Sequence, residues 1–448
     1  QPRRGHDGLL DVVEQLQGIP LAASALDAAI LPGRIIDYFA ADLDELCAVG
    51  EVVWRGIEAS GPHDGRVALY LADSFPLLAP PPAIVDEPLA QRIVAALGER
   101  GAMFFDELAR KAGGFQHDVL DMLWQLAWAG VVTNDTLAPL RSRLRRPRSG
   151  ERRPRRGRDA GRRFRSRRMA TIPGAEGRWS LLDYGGDSVP SPTQRQTALA
   201  EQLLKRYGVV TRTIAGREAL AGGFGALYPV LRAMEEAGRV RRGYFIEGLG
   251  GAQFALPGAD DGLRRAPMLR DDAPVQELAL VLSAVDPANP YGAQVKWPAS
   301  NDPGAALQRT GSAAVIVDAA TGRLLGYLSR GARKLSTFSA PTLEDEPLWR
   351  RRLAERLAQL ACDAGPLLVE QVDGAPVGDA PLADELRRAG FVPTSRGSLH
   401  RGVGRTTRFD RMATDRRRFP LDAASPASDD ALAAELSDEP LDQDADDA

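Results

Sequence analysis

LCAVGEVV (46–53), LAWAGVV (126–132) and MEEAGRV (234–240) share one pattern, in which an apolar residue precedes a glycine by four positions and a β-branched residue follows. The apolar residue is typical of a helix packed on a core. The glycine is typical of a left-handed turn that ends such a helix, and the β-branched run is typical of a strand. Each stretch therefore predicts the passage from the third helix of a winged helix into its wing.

The spacing of the three glycines indicates a repeated unit. Gly50 and Gly130 are 80 residues apart, and Gly130 and Gly238 are 108 apart. Removing the 28 residues of an Arg-rich segment, 141–168, restores a separation of 80. Repetition at a fixed period is a property of the fold, so the sequence predicts three winged helices in tandem.

From this repeat we predict an α+β multidomain protein, with tandem winged-helix domains followed by a β-barrel-like α+β module. The predicted divisions are winged helices at 1–80, 83–140 and 190–258, an Arg-rich disordered linker at 141–170, the β-barrel-like module at 275–410 and an acidic disordered tail at 421–448. A strand-like stretch within 177–187 is expected to complete the wing of the second winged helix.

Apolar periodicity places individual elements within these divisions. In the first winged helix we expect helices at 8–16, 24–30 and 42–49, the last with Asp42 as its N-cap. The later helices are predicted at 89–97, 105–110, 116–129, 197–207, 224–237, 348–362 and 382–389. The later strands are predicted at 179–182, 240–245, 252–256, 312–318, 324–328 and 367–372.

The charges are strongly segregated along the chain. The 448 residues carry a net charge of −3, yet 141–168 holds fifteen Arg against two acidic residues, and 421–448 holds ten acidic residues and no basic one. A segment with a net charge of +13 favours a polyanionic partner. A genome rich in G and C is the plainer explanation for an excess of Arg over Lys.

The cysteines and histidines of the sequence do not favour a disulfide-rich fold or a metal site. Two Cys in separate regions cannot build a disulfide framework or a Cys-rich zinc site, and the four His show no helical pairing that would suggest a metal site. No apolar run approaches the roughly 20 residues that span a bilayer. We therefore expect a cytoplasmic protein with no membrane partner.

Several longer stretches resemble the C-terminal region of the bacterial large helicase-related (Lhr) proteins. They are EQLQGIPL (14–21), LPGRIIDY (31–38), LAWAGVVTNDTLAPLR (126–141), GRWSLL (177–182), LLKRYGVVTR (203–212), LYPVLRAMEEAGRVRRGYFIEGLGGAQFALPG (227–258), DPANPYG (286–292) and GFVPTSRG (390–397). The resemblance implies the C-terminal half of a DNA-repair helicase, an array of winged helices and a β-barrel module that assembles as a homotetramer.

The same resemblance implies partners and cofactors. The expected partners are DNA, either single-stranded or a tailed duplex, and a helicase core in the same polypeptide, in a nucleoid-associated cytoplasmic protein. This sequence has no G-x-x-x-x-G-K-[ST] phosphate loop. We therefore expect no cofactor in this chain, with ATP and Mg²⁺ belonging to the absent helicase core.

The Lhr region is also similar to DNA glycosylases of the AlkZ (YcaQ) type, which carry a Gln-apolar-Gln or Gln-apolar-Asp motif near their start. Gln15-Leu16-Gln17 has this form, and the resemblance implies that Gln15 and Gln17 position water against the sugar of a flipped nucleotide. The alternative is that both are solvated side chains at a helix end. A carboxylate would activate water better, so Asp135 and Asp183 are further candidates, although each is also typical of a turn.

Five arginines are the best sequence candidates for DNA contact: Arg34, Arg232, Arg239, Arg241 and Arg242. The last three flank a predicted wing, where a guanidinium can reach a phosphate or a groove edge. An ordinary solvated rim would explain any one of them.

Two functions from different classes remain after these steps. The first is a DNA-binding and oligomerisation module of an Lhr-type ATP-dependent DNA-repair helicase. The alternative is a monofunctional DNA glycosylase acting on uracil or a damaged base within the same module. A winged-helix transcription regulator is disfavoured, because a further module follows the third repeat.

Overall fold

A computed structural model describes residues 3–144, 172–186, 189–218, 222–246, 249–259, 261, 278–329, 331 and 333–402. The predicted disordered linker at 141–170 is wrong for 141–144, which end a helix, Ala138–Leu144. The rest of that linker, 145–170, and the predicted acidic tail lie outside the described residues. We call the parts of the described chain unit one (3–79), unit two (83–186), unit three (189–259) and the C-terminal module (278–402).

Unit one places three helical segments before a long two-stranded wing. Its elements are α1 (Gly5–Leu16), β1 (Leu21–Ala22), α2 (Ala23–Ala25) with a π-helical turn (Leu26–Ile30), α3 (Ala40–Ala48), β2 (Val52–Ser60), β3 (Asp64–Leu71) and a short α4 (Phe75–Leu78). The strands form an antiparallel sheet in the order β1-β3-β2. The predicted cap at Asp42 is wrong: Phe39 is the N-cap, and Asp42 lies in the first turn, where its carboxylate favours the positive helix end.

Unit two repeats this order, and the Arg-rich segment falls in the sequence between its last two strands. Its elements are α5 (Pro88–Arg100), β4 (Met103–Phe104), α6 (Phe105–Ala112), α7 (Gln116–Trp128), β5 (Val132–Asn134), α8 (Ala138–Leu144) and β6 (Arg178–Leu181). The sheet order is β4-β6-β5. The stretch predicted to complete the wing is confirmed as β6, which pairs with β5 from Val132 to Asn134.

Unit three has the same sheet order, β7-β9-β8. Its elements are α9 (Pro192–Tyr207), β7 (Val209–Val210), α10 (Arg212–Arg217), α11 (Gly223–Glu236), β8 (Arg241–Gly243) and β9 (Gln253–Ala255). In all three units the last strand in the chain lies in the middle of the sheet. This is the arrangement of a winged helix, and the three-fold pattern in the sequence therefore corresponds to three sheets of one topology.

The glycines of the repeated motif end their helices in the predicted way. Gly50, Gly130 and Gly238 have φ of 82°, 71° and 72°. After each glycine, the next N–H donates to the carbonyl of the apolar residue that precedes the glycine by four: Leu46, Leu126 and Met234. A bond of this kind is characteristic of a Schellman motif. The three apolar side chains are buried.

Units one and two share one hydrophobic core, whereas unit three has its own. Trp54 of β2 lies within ring contact of Trp124 and Trp179 of unit two, with centroids 6.5 and 6.4 Å apart. Gly56 is required at this junction, because a Cβ there would lie 2.3 Å from the Ala127 carbonyl oxygen. The first two winged helices are therefore packed together as one body.

The C-terminal module contains two sheets and a long helix. Its elements are β10 (Ala279–Ser283), β11 (Ala314–Asp318), β12 (Leu324–Leu328), β13 (Lys334–Thr337), α12 (Glu346–Ala364), β14 (Leu367–Val369), β15 (Gln371–Val372), β16 (Ala375–Pro376), α13 (Ala383–Arg388), β17 (Val392–Thr394) and β18 (Gly397–His400). The sheets have the orders β10-β11-β12-β13-β15-β16 and β14-β18-β17. The single strand predicted at 367–372 is wrong, because the chain changes sheets at Glu370.

The mixed α/β content of this module agrees with the prediction, and its barrel-like closure does not appear in the strand order. Among the described residues, β10 and β16 lie at opposite edges of the six-stranded sheet, and no pairing joins them.

In all the residues that the structure describes, no helix has the length and apolar composition needed to cross a membrane.

Candidate functional site

Gln17 lies at the end of α1, where Gly18 turns the chain with a φ of 79°. Its side chain is 3% exposed. The amide oxygen accepts a hydrogen bond from the backbone N–H of Leu71 at 3.0 Å, and the amide nitrogen donates to Gln202 Oε1 at 3.4 Å. Both the oxygen and the nitrogen of this amide therefore have protein partners. These two hydrogen bonds would have to break before the amide could reach a DNA sugar.

Gln15 lies beside it, half-buried, and its side-chain oxygen accepts from Arg3 Nη1 at 3.2 Å. The backbone carbonyls of Gln15 and Gln17 both accept from the guanidinium of Arg206 on α9. Arg206 also forms a buried ion pair with Glu218 at 2.7 Å. The structure thus brings the two glutamines together at the joint between units one and three.

The two carboxylate candidates lie in unit two. Asp135 accepts from both the backbone N–H and Nε of Arg178, each at 2.8 Å, and so joins the ends of β5 and β6. Asp183 accepts from the backbone N–H of Gly185 at 2.8 Å, in an exposed turn. Within the described chain, no hydrogen bond joins either carboxylate to Gln15 or Gln17.

Arg34 makes a two-pronged ion pair with Asp286 of the C-terminal module. Its Nη1 and Nη2 lie 2.8 and 2.6 Å from the two carboxylate oxygens, and the side chains of Arg34 and Asp286 are 15% and 2% exposed. Nη1 also donates to the carbonyl of Ile30. The guanidinium predicted to contact DNA therefore joins two parts of the protein.

The four arginines of unit three lie at the end of α11 and along β8, and all are exposed. Arg232 pairs with Glu236 at 3.1 Å, Arg239 pairs with Glu201, and Arg242 lies 3.4 Å from Glu235. Arg241 has no ion-pair partner among the described residues. Because exposed ion pairs are weak, these guanidinium groups can exchange their partners for phosphate oxygens at little cost.

A cysteine nucleophile or a bound metal ion would be another basis for catalysis in this chain. Burial raises the pKa of the Cys47 thiol to about 12, so this cysteine is not a nucleophile near neutral pH. In the residues that the structure describes, no group of three His, Cys, Asp or Glu side chains could hold a metal ion.

The sequence prediction missed Gln202, Arg206 and Gln253. Gln202 lies on the face of α9 that also buries Ala200, Leu203 and Leu204, and a polar residue on an apolar helix face is the signal that could have found it. Gln253 is the first residue of a strand whose three residues are all buried, and the two that follow it are apolar. A buried amide must be hydrogen-bonded, so such positions predict a local network.

Comparisons with known proteins match this architecture. Residues 1–72 and 189–275 each match a model of a winged-helix domain of the large helicase-related protein. Over 412 residues the chain is 40% identical to "Lhr helicase/ probable uracil glycosylase" of Mycolicibacterium smegmatis, covering 88% of this chain and 26% of that protein. It is 37% identical over 422 residues to "Lhr helicase/uracil glycosylase" of Escherichia coli, with the same coverage. The chain spans about a quarter of the length of these relatives.

Proposed function

Since the chain belongs to the large helicase-related family and matches the C-terminal region of its members, we propose that it is a DNA-binding module of a DNA-repair helicase. The observation that carries this proposal is the exposed arginine surface of unit three, formed by Arg232, Arg239, Arg241 and Arg242. In a winged helix, the third helix and the wing are the elements that approach nucleic acid. The guanidinium groups would contact phosphates and position the module.

Titration of a labelled single strand at several salt concentrations tests the proposal. Replacing Arg239, Arg241 and Arg242 with Ala should lower the slope of log affinity against log salt by about 2, since each phosphate contact to a single strand contributes about 0.7. The matched control removes three exposed arginines of the C-terminal module, Arg351, Arg387 and Arg388. Equal losses in the two triple variants would contradict a specific surface on unit three.

ATP hydrolysis is assigned to another part of the polypeptide. The relatives carry helicase in their names, and this sequence contains no phosphate loop. We therefore propose that ATP and Mg²⁺ bind in a helicase core of the same polypeptide. The described chain should bind DNA equally well with and without ATP.

Self-association is a separate proposal, which rests on the family resemblance. The folded units, and not the cysteines, would form the contacts of a homotetramer. Light scattering under reducing conditions should then give a mass near four times 48.2 kDa. A monomer at micromolar concentration would refute the tetramer for this chain.

The second candidate function is base excision, because both relatives carry uracil glycosylase in their names. In this proposal Gln15 and Gln17 position the attacking water, with Asp135 or Asp183 as the alternative acid. Replacing both glutamines with Ala should then slow release of uracil by about 10²-fold while DNA affinity changes only a few-fold.

A third variant separates this chemistry from the joint. Gln202 donates to the carbonyls of Glu14 and Gln15 and accepts from the side-chain nitrogen of Gln17, so Gln202→Glu removes the two donated bonds while keeping an acceptor for Gln17. An equal loss of excision in Gln202→Glu would assign Gln15 and Gln17 a structural role. No excision by the unmodified chain would leave DNA binding as its function.

A further inference from the structure

Tyr244 follows β8 in the wing of unit three, and it is 92% exposed. In the described part of the chain its ring has no ring contact and its hydroxyl has no hydrogen bond. An aromatic side chain is rarely left so fully in water, because burying it would be favourable. The wing therefore presents an aromatic surface that no other described residue covers.

The backbone beside Tyr244 is held in place by a buried amide, that of Gln253. Its side chain is fully buried, and its oxygen accepts from the N–H groups of Phe245 and Ile246, each at 2.9 Å. Its nitrogen donates to the carbonyls of Ile246 and Leu249 at 3.0 and 2.8 Å. Because all four bonds fix the chain after Tyr244, the ring is offered from a preorganised segment, which lowers the entropy lost on binding.

Two arginines precede Tyr244 by two and three positions in the chain. Arg241 and Arg242 belong to β8, where they pair in register with Ala255 and Phe254 of β9. Arg242 is half-exposed and reaches Tyr228 and Glu235 on α11, while Arg241 is exposed. An exposed aromatic ring and exposed guanidinium groups on the same wing have the chemistry that recognises an unpaired base and its neighbouring phosphates.

We propose that the wing of unit three binds single-stranded DNA by stacking one base on Tyr244, while Arg241 and Arg242 contact the adjacent phosphates. A duplex offers no free base face at this position, since each base is covered by its neighbours, and the ring therefore selects for single strands. Gln253 is the positioning residue of this site. The inference rests on the proposed DNA-binding function and assigns it a strand preference.

Binding of a labelled 12-nucleotide thymidine strand to Tyr244→Ala and Tyr244→Phe tests the stacking contact. Tyr244→Ala should weaken binding about tenfold, as loss of one stacked base does, and Tyr244→Phe should bind like the unmodified chain. Neither change should alter the salt slope or the affinity for a blunt duplex. The matched control is Phe115→Ala, because Phe115 is also highly exposed, at 82%, but lies in unit two.

A series of strands with one abasic site at successive positions identifies the stacked base. The unmodified chain should lose affinity at one position in the series, and Tyr244→Ala should be insensitive to that position. Gln253→Leu, which keeps the volume but not the hydrogen bonds, should lose the same positional sensitivity. The Tyr244 variants test the stacking even if Gln253→Leu fails to fold.

The outcomes separate the two proposals. If the unmodified chain binds no DNA, the proposed function fails. If it binds single strands and Tyr244→Ala binds equally well, DNA binding stands and the stacking site is refuted. A loss of equal size in Phe115→Ala would also refute it, since the effect would then not belong to the wing.

Discussion

A single arginine shows how far a residue's role depends on its distant neighbours. Arg34 lies in a stretch, LPGRIIDY, that resembles the family closely, and an exposed arginine there would be a reasonable DNA contact. Its partner Asp286 is 252 positions away in the chain. No local pattern signals that pairing, and for this reason the sequence could not predict that Arg34 connects unit one to the C-terminal module.

Arg34→Ala is predicted to destabilise the protein without weakening DNA binding. It would leave the carboxylate of Asp286 buried and without its charged partner, a change that costs about 3 kcal/mol. Urea unfolding should show this loss, while the affinity for a single strand stays within twofold. The matched control is Arg4→Ala, whose exposed pair with Asp37 should contribute less than about 0.5 kcal/mol. A large loss of DNA affinity in a folded Arg34→Ala protein would restore Arg34 as a contact residue.

At the scale of elements, the sequence correctly predicted the long periodic helices and the three helix ends at Gly50, Gly130 and Gly238. It missed β1, β4 and β7, because strands of two residues have no alternation to detect. It also began α9 five residues too late, although Ser191 as N-cap and Gln194 as the third helical residue form a capping box around Pro192. The strand change at Glu370 escaped prediction because it is set by pairing with β13 and β18, which are remote in sequence.

The helix-ending glycines allow a matched prediction. Alanine at Gly238 adds a Cβ that meets nothing within 4 Å, so its cost is the positive φ alone, about 1 kcal/mol. At Gly130 the same Cβ would lie 2.5 Å from Nε of Arg55, whose guanidinium also donates to Tyr184 and Pro81. Gly130→Ala should therefore lower the unfolding midpoint in urea more than Gly238→Ala does. Equal shifts would show that Arg55 moves aside without loss.

At the scale of the whole molecule, unit one contacts each of the other described parts, and an arginine lies at each of these interfaces. Arg141 of unit two lies 2.6 Å from Asp27 and from Asp44, Arg206 of unit three reaches the end of α1, and Arg34 reaches the C-terminal module. Burial and the nearby Asp27 raise the pKa of Tyr38 well above its usual range, so its hydroxyl stays protonated and donates to Asp27. Such joints hold the three winged helices in a defined arrangement.

The first residues of the Arg-rich segment, 141–144, belong to the folded structure. Arg141 belongs to the joint between units one and two, and Arg143 lies over the ring of Trp124 at 5.0 Å. These two arginines of the segment are structural, whereas 145–168 carries thirteen further Arg and a net charge of +11. A test of DNA binding must therefore leave 141–144 intact.

We predict that replacing the thirteen arginines of 145–168 with glutamine, at unchanged length, makes DNA binding much less sensitive to salt. If five of them contact phosphates, the slope of log affinity against log salt should fall by about 3 to 5, because each contact releases condensed counterions. If the acidic residues of 421–448 compete for the same arginines, removing 421–448 should tighten binding at low salt in the unmodified chain and have no effect in the glutamine variant. An unchanged slope would mean that the segment only spaces β5 from β6, and that the arginines of unit three account for the electrostatic part of binding.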